Sequence, residues 1–259
     1  DLHSFPTRRS SDLHIDQDDA PVGRMLSRRE VVGLLGVSGI TVLTGRRSAG
    51  EGLLVGGRPI PACVVRPEQT EGPYFVDEML HRSDIRADPA DGAIKTGVPL
   101  ALAFVVSRIS RNSCAPLAKA QVDLWHCDAD GVYSGVTDAT FNTVGKKFLR
   151  GYQVTDAGGT ARFGTIYPGW YPGRAVHLHF KIRTDPTVKP AQEFTSQLYF
   201  EDALSDQVFA QELYASRGAR TTRNRDDRIF LRGGDQLMLA PALAKDGYAA
   251  TFEIGLDLD

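Results

Sequence analysis

Residues 169–180 run Gly-Trp-Tyr-Pro-Gly-Arg-Ala-Val-His-Leu-His-Phe and place His177 and His179 one residue apart, shortly after Tyr171 and Arg174. Alternate side chains of a β-strand share a face, so an extended segment points both imidazoles the same way. Two imidazoles at that spacing can take adjacent positions on one metal. Tyr171 lies in a Pro/Gly turn before the strand, from which its phenol can fold back towards them. Tyr133, in Asp130-Gly131-Val132-Tyr133-Ser134-Gly135, is a further candidate ligand. Two phenolates and two imidazoles together suit a hard, oxidised iron. A His-x-His pair alone is common in ordinary strands and is then structural; the four residues as a set carry the metal reading.

These side chains need a rigid frame, and the chain reads as mostly β. Strands are predicted over 98–106, 120–125, 148–155, 160–166, 176–183, 195–200, 236–239 and 249–258. Asp156-Ala157-Gly158-Gly159 reads as the turn of a hairpin joining 148–155 to 160–166. One short helix is expected over 206–215, with Val208, Phe209 and Leu213 on one side. Many short strands punctuated by Gly and Pro indicate an all-β fold, a β-sandwich. The connections 127–148 and 167–175 are long and rich in Gly, Tyr, Asp and His. Both candidate tyrosines fall in them, at the places where a sandwich carries its sites.

A length of 259 residues with 42% hydrophobic content supports one well-cored domain and a tail. The net charge of −2 gives no electrostatic case for nucleic acid or an anionic membrane surface. No apolar run is long enough to cross a bilayer. Three cysteines, Cys63, Cys114 and Cys127, are too few for a disulfide scaffold and leave open whether Cys63 pairs with Cys114. Residues 1–13 resemble the in-frame translation of a sequencing adapter and are expected to be foreign to the natural protein. Residues 14–61 read as a twin-arginine export signal and linker: Ser27-Arg28-Arg29 precedes a short, Gly-rich apolar stretch, although Val31 stands where an aromatic is usual. The expectation is a protein exported to the periplasm or beyond, whose only dealing with a membrane is that export.

The domain from residue 62 to 259 resembles the intradiol ring-cleavage dioxygenases, non-haem iron(III) enzymes that open catechol rings between the two hydroxyls. The resemblance rests on ordered pieces: Thr70-Glu71-Gly72-Pro73-Tyr74-Phe75, residues 122–134 from Val-Asp-Leu-Trp to Val-Tyr-Ser, residues 149–156, the Tyr171 to Phe180 run, and Thr195-Ser196-Gln197-Leu198-Tyr199-Phe200. It implies a prealbumin-like β-sandwich with long active-site loops, an Fe(III) cofactor, a small aromatic diol and O2 as substrates, and a cis,cis-muconate-type diacid as product. It also implies that Tyr133, Tyr171, His177 and His179 bind the metal, with Tyr171 the ligand that leaves when substrate binds. Arg174 then stabilises the carbanionic ring, Gln197 lies close to iron and substrate, and Pro73 and Tyr74 line the pocket.

His126, at the loop base, is read as structural, Cys127 as a packed thiol, and Tyr152, Tyr167 and Tyr199 as core or rim aromatics. The loop from Tyr171 to His177 is shorter than in protocatechuate-type members, and the residues before Ala62 are too few and too signal-like to supply the helical dimerisation domain of the catechol type. The chain therefore looks like a compact, exported, single-domain branch, with the ring substituents and the oligomeric state left open. The alternative reading is a non-catalytic, transthyretin-like binding module on the same architecture. A zinc hydrolase built on the two histidines is a poorer one, for want of a placed general-base carboxylate.

Overall fold

In the computed structural model, residues 64–110, 113–185 and 191–258 are described, with the backbone of 54–55 and 58–59. The expected adapter-derived leader, the stretch expected to be an export signal, and Cys63 lie outside the described residues. The strands are β1 (Pro99–Ser110), β2 (Ser113–Pro116), β3 (Gln121–Trp125), β4 (Arg150–Val154), β5 (Thr160–Ile166), β6 (His177–Arg183) and β7 (Glu193–Tyr199). After them come α1 (Asp202–Phe209), α2 (Glu212–Ala215), β8 (Ala242–Ala244) and β9 (Gly247–Asp257).

Two sheets face each other. One has the order β8-β9-β1, with β5 and β2 sharing the other edge of β1; the second has the order β4-β3-β6-β7. β1 and β9 pair in parallel, from Leu100 opposite Tyr248 to Ile109 opposite Asp257. Period-two burial drives the closure. Leu100, Leu102, Phe104 and Val106 of β1 meet Leu178, Phe180 and Ile182 of β6 and Phe252 and Ile254 of β9 in one core. Phe104, Phe180 and Phe252 form its centre, with ring centroids 5.3–6.0 Å apart.

The expected β-sandwich is present, with three local differences. The turn at residues 156–159 closes, with the Gly159 N–H donating to the Asp156 carbonyl at 2.9 Å. Yet β4 pairs with β3 while β5 pairs with β1 across the sandwich, so the turn is an arch between sheets and not a hairpin. Gly159 has φ +75°, and a Cβ there would stand 2.3 Å from the Val106 carbonyl oxygen, so the arch requires glycine. The expected helix starts earlier, at Asp202, and breaks after Phe209; Tyr214 of α2 turns inward while Leu213 is exposed. The Tyr214 hydroxyl explains that choice, since it accepts the Val98 N–H and donates to the Tyr167 carbonyl. Residues 236–239 were expected as a strand; Gly234–Leu237 instead winds into a 3-10 turn, and Met238 alone bridges to Tyr199.

β3 and β6 are covered on both faces. Their core-facing residues alternate with Asp123, Trp125, His177, His179 and Lys181, which face outward yet stay buried. The cover is a strap formed by residues 64–82. Glu71 pairs with Lys181, and Asp77 pairs with Arg183 at 2.7 Å. Phe75 packs on Trp125 in a tilted contact, ring centroids 4.8 Å apart, and lies under the Lys181 ammonium at 4.4 Å.

Burial on this face pushes the Asp123 carboxyl up to about 6, against the attraction of Arg183. A folded-state pKa above the unfolded value means that folding favours the protonated acid. The resulting destabilisation is absent below about pH 4, grows between pH 4 and 6, and reaches about 3 kcal/mol above that. Asp123→Asn is therefore expected to raise the unfolding midpoint at pH 7.5 and leave it unchanged at pH 4. Thermal melts at the two pH values check this, and an equal shift at both would contradict it.

Candidate metal centre

Strand register assembles the site on the outer face of the four-stranded sheet. Trp125 lies opposite His179, which lies opposite Gln197, and His177 lies opposite Tyr199. Trp125 and His179 stack nearly parallel, 5.1 Å apart. The two tyrosines come from the loops. Asp128 folds the first loop by accepting the Asp130 and Val132 N–H groups, and Lys95 pairs with it at 2.7 Å. Gly131, at φ +76°, lets this loop pack directly on the second: a Cβ there would stand 2.4 Å from the Trp170 carbonyl oxygen.

Four donor atoms converge. Tyr171 Oη lies 3.0 Å from His177 Nε2, and His177 Nε2 lies 3.1 Å from His179 Nε2. Tyr133 Oη lies 3.5 Å from both Tyr171 Oη and His177 Nε2. The set foreseen from sequence, Tyr133, Tyr171, His177 and His179, is thus brought together. Tyr133, His177 and His179 are almost fully buried, while Tyr171 is partly open to solvent.

The donor set fits a metal ion. His177 Nδ1 faces the Ala175 carbonyl at 2.6 Å and must carry the proton, which leaves the Nε2 lone pair free. Burial holds both imidazoles neutral, far below the usual histidine range. Two neutral rings with Nε2 atoms 3.1 Å apart turn toward one point. Neighbouring ligands on one ion, with bonds of about 2.1 Å and angles of 90–120°, stand roughly 2.9–3.6 Å apart, the range seen here. Burial also drives both phenols upward, Tyr171 to about 12, so neither is a phenolate at neutral pH without a cation beside it. Buried phenols and neutral imidazoles supply hard oxygen and nitrogen donors, as ferric iron prefers.

Arg174 stands at the edge of the set. Its Nη1 lies 3.3 Å from His177 Nε2, Nη2 donates to Gln197 Oε1, and Nε donates to Asp227 Oδ2 at 3.0 Å. Burial opposes this cation, but the Tyr171 oxygen and the Asp227 carboxylate outweigh it and raise its pKa. Gln197 is oriented by its Nε2, which donates to the Thr70 carbonyl at 2.9 Å, and by Tyr199 Oη, 3.0 Å from Oε1.

Tyr74 stacks on Tyr133 with centroids 4.6 Å apart, and its hydroxyl donates to Asp138 Oδ2 at 2.6 Å. Pro73, beside it, is exposed. Arg150, buried behind the loops, donates to Ser134 and to the Tyr74 carbonyl and so ties the strap to the Tyr133 loop. His126 is saturated, with Nδ1 on the Cys127 carbonyl and Nε2 on Thr165 Oγ1, and stands outside the donor set. Cys127 is a buried free thiol facing the Gly169 carbonyl at 3.5 Å. Tyr167 is a core aromatic, but Tyr199 does more than fill space: its hydroxyl also reaches Gln69 Oε1 at 2.7 Å. The sequence gives no sign of Asp227 or Gln69 in this site, and it shows Tyr199 only as a core or rim aromatic, not as a hydrogen-bonding partner of Gln197.

The profile of the family described as Dioxygenase matches residues 70–257. A solved intradiol ring-cleavage dioxygenase from Tetranychus urticae is 28% identical, with a TM-score of 0.65, covering 75% of this chain and 95% of that one. A chlorocatechol 1,2-dioxygenase from Pseudomonas putida is 29% identical over 51% of this chain and 52% of its own length. The beta chain of a protocatechuate 3,4-dioxygenase from Burkholderia cepacia is 32% identical over 55% of this chain and 63% of its own. The chain spans about half the length of the first two curated relatives it matches. The fold, the ordered motifs and a profile match across most of the domain agree: this chain belongs to the intradiol ring-cleavage dioxygenase family.

Proposed function

We propose that this protein uses O2 to cleave a catechol-type aromatic diol between its hydroxyls, giving a cis,cis-muconate-type diacid, with ferric iron held by Tyr133, Tyr171, His177 and His179. The observation that carries the reading is the convergence of those four donors at 3.0–3.5 Å. Relatives named for chlorocatechol, protocatechuate and hydroxyquinol share one chemistry of substrate, an aromatic ring with adjacent hydroxyls. When bound, the iron supplies Lewis acidity and a template for the diol.

The protein's own residues do the remainder. Tyr171 is the partly exposed member, carried on a turn, and its neutral form is strongly favoured once it stands free. Its Oη is therefore suited to accept a proton from the incoming diol and swing aside, while Tyr133, buried under Tyr74, stays in place. Arg174, charged and aimed at the donor cluster, stabilises negative charge on the ring as it develops, acting mainly on the transition state. Gln197 fixes the face that Arg174 presents. The Trp125–His179 stack and the strap exclude water from behind. A passive binding module has no use for a buried cluster of this composition. Export fits the same reading, since Cys114 is disulfide-bonded, as suits an oxidising compartment.

The visible spectrum of purified, iron-loaded protein tests the proposal. A red-brown phenolate-to-iron charge-transfer band is expected, shifting when catechol is added and weakening in Tyr133→Phe. A colourless protein carrying stoichiometric iron would sink the reading.

A further inference from the structure

We propose that Asp227 is a positioning residue for the ring-cleavage reaction, fixing the Arg174 guanidinium so that its two terminal nitrogens face the metal ligands and Gln197. This rests on the functional reading above. Asp227 is 1% exposed and fully committed: Oδ2 accepts Arg174 Nε at 3.0 Å and the Ala175 N–H at 2.8 Å. Oδ1 accepts the Ile229 N–H at 2.7 Å and the Phe230 N–H at 3.2 Å. One carboxylate therefore joins the loop that carries Tyr171 and Arg174 to the distant segment 227–230.

The bonds close a ring. Asp227 holds Arg174, Arg174 holds Gln197, Gln197 meets Tyr199, and Tyr199 meets Gln69. Gln69 Nε2 then donates to the Ile229 carbonyl at 3.0 Å, on the residue whose N–H returns to Asp227. A guanidinium with four rotatable bonds before its fork would otherwise sample many directions. With Nε occupied, the fork lies in one plane and only Nη1 and Nη2 remain for the site. The charge of Asp227 also offsets the cost of keeping Arg174 ionised beside two neutral imidazoles. Asp227 touches none of the four candidate ligands; it acts through Arg174.

The test is a double-mutant cycle on the iron-loaded protein, with D227N, R174A and the double variant. D227N is expected to keep its iron and its charge-transfer band, with kcat lowered about 10–100-fold and KM unchanged, as for loss of an outer-shell partner. In the R174A background, adding D227N is expected to cost no further activity, since Asp227 acts only through Arg174. Loss of iron or of the band in D227N would make Asp227 a scaffold residue and overturn the proposal. So would an undiminished kcat, or an equal further loss in the R174A background. A wild-type protein with neither band nor activity would instead refute the ring-cleavage reading itself.

Discussion

Replacing His177 by alanine will leave a folded protein that holds iron poorly, shows little colour and cleaves no catechol. The argument is geometric. His177 Nε2 is the hub of the donor set, lying 3.0–3.5 Å from Tyr171 Oη, His179 Nε2 and Tyr133 Oη. Its Nδ1 is pinned to the Ala175 carbonyl, so no neighbouring side chain stands ready to replace it. Three donors remain, and the Arg174 cation, held by Asp227 and Gln197, faces the gap. Loss of an outer-shell partner alone costs about 10–100-fold in metal affinity, and loss of the ligand itself exceeds that. The fold should persist, because β6 is held by backbone pairing to β3 and β7. Iron per chain, the visible band and the far-UV circular dichroism spectrum decide the matter. H177A that retains stoichiometric iron and full colour would remove His177 from the ligand set.

Arg174→Ala is expected to separate metal binding from chemistry. Iron and colour should remain, while kcat falls about 10²–10³-fold, the usual cost of losing one preorganised charge-stabilising donor. KM should change little if Arg174 acts on the transition state. The same change must also destabilise the protein, because Asp227, 1% exposed, loses its cation. Breaking a buried pair costs about 3–5 kcal/mol. The three backbone N–H groups that still serve Asp227 hold the loss to the lower end of that range. Steady-state kinetics and urea unfolding on the same preparation measure both effects. Unchanged kcat with lowered stability would reduce Arg174 to a structural ion pair.

The parts of this site that were legible in the sequence are those with a period or a motif. The alternation of His177 and His179 survives intact, because strand geometry alone fixes which face they share. Tyr133 and Tyr171 were legible as members of long loops, whose place at one end of a sandwich follows from architecture. The Asp156 turn misled because turn chemistry specifies a reversal and not the partner that each strand finds afterwards. Whether β5 meets β4 or β1 is decided by Ala161 and Phe163 seeking the core, a tertiary choice. Asp227 left no trace because it lies in a run of arginines and aspartates that reads as solvated surface. Its burial depends on Arg174, more than fifty residues away. Gln69 and the polar role of Tyr199 were hidden for the same reason: a hydrogen-bonded ring has no signature along the chain.

The parallel union of β1 with β9 constrains how such a molecule is made. Register runs from Leu100 opposite Tyr248 to Ile109 opposite Asp257, so the central strand of one sheet waits for a partner synthesised some 150 residues later. Contacts of that separation slow folding, and until β9 arrives an edge of β1 stands unpaired and open to aggregation. A nascent chain of this topology therefore exposes that edge until β9 has emerged.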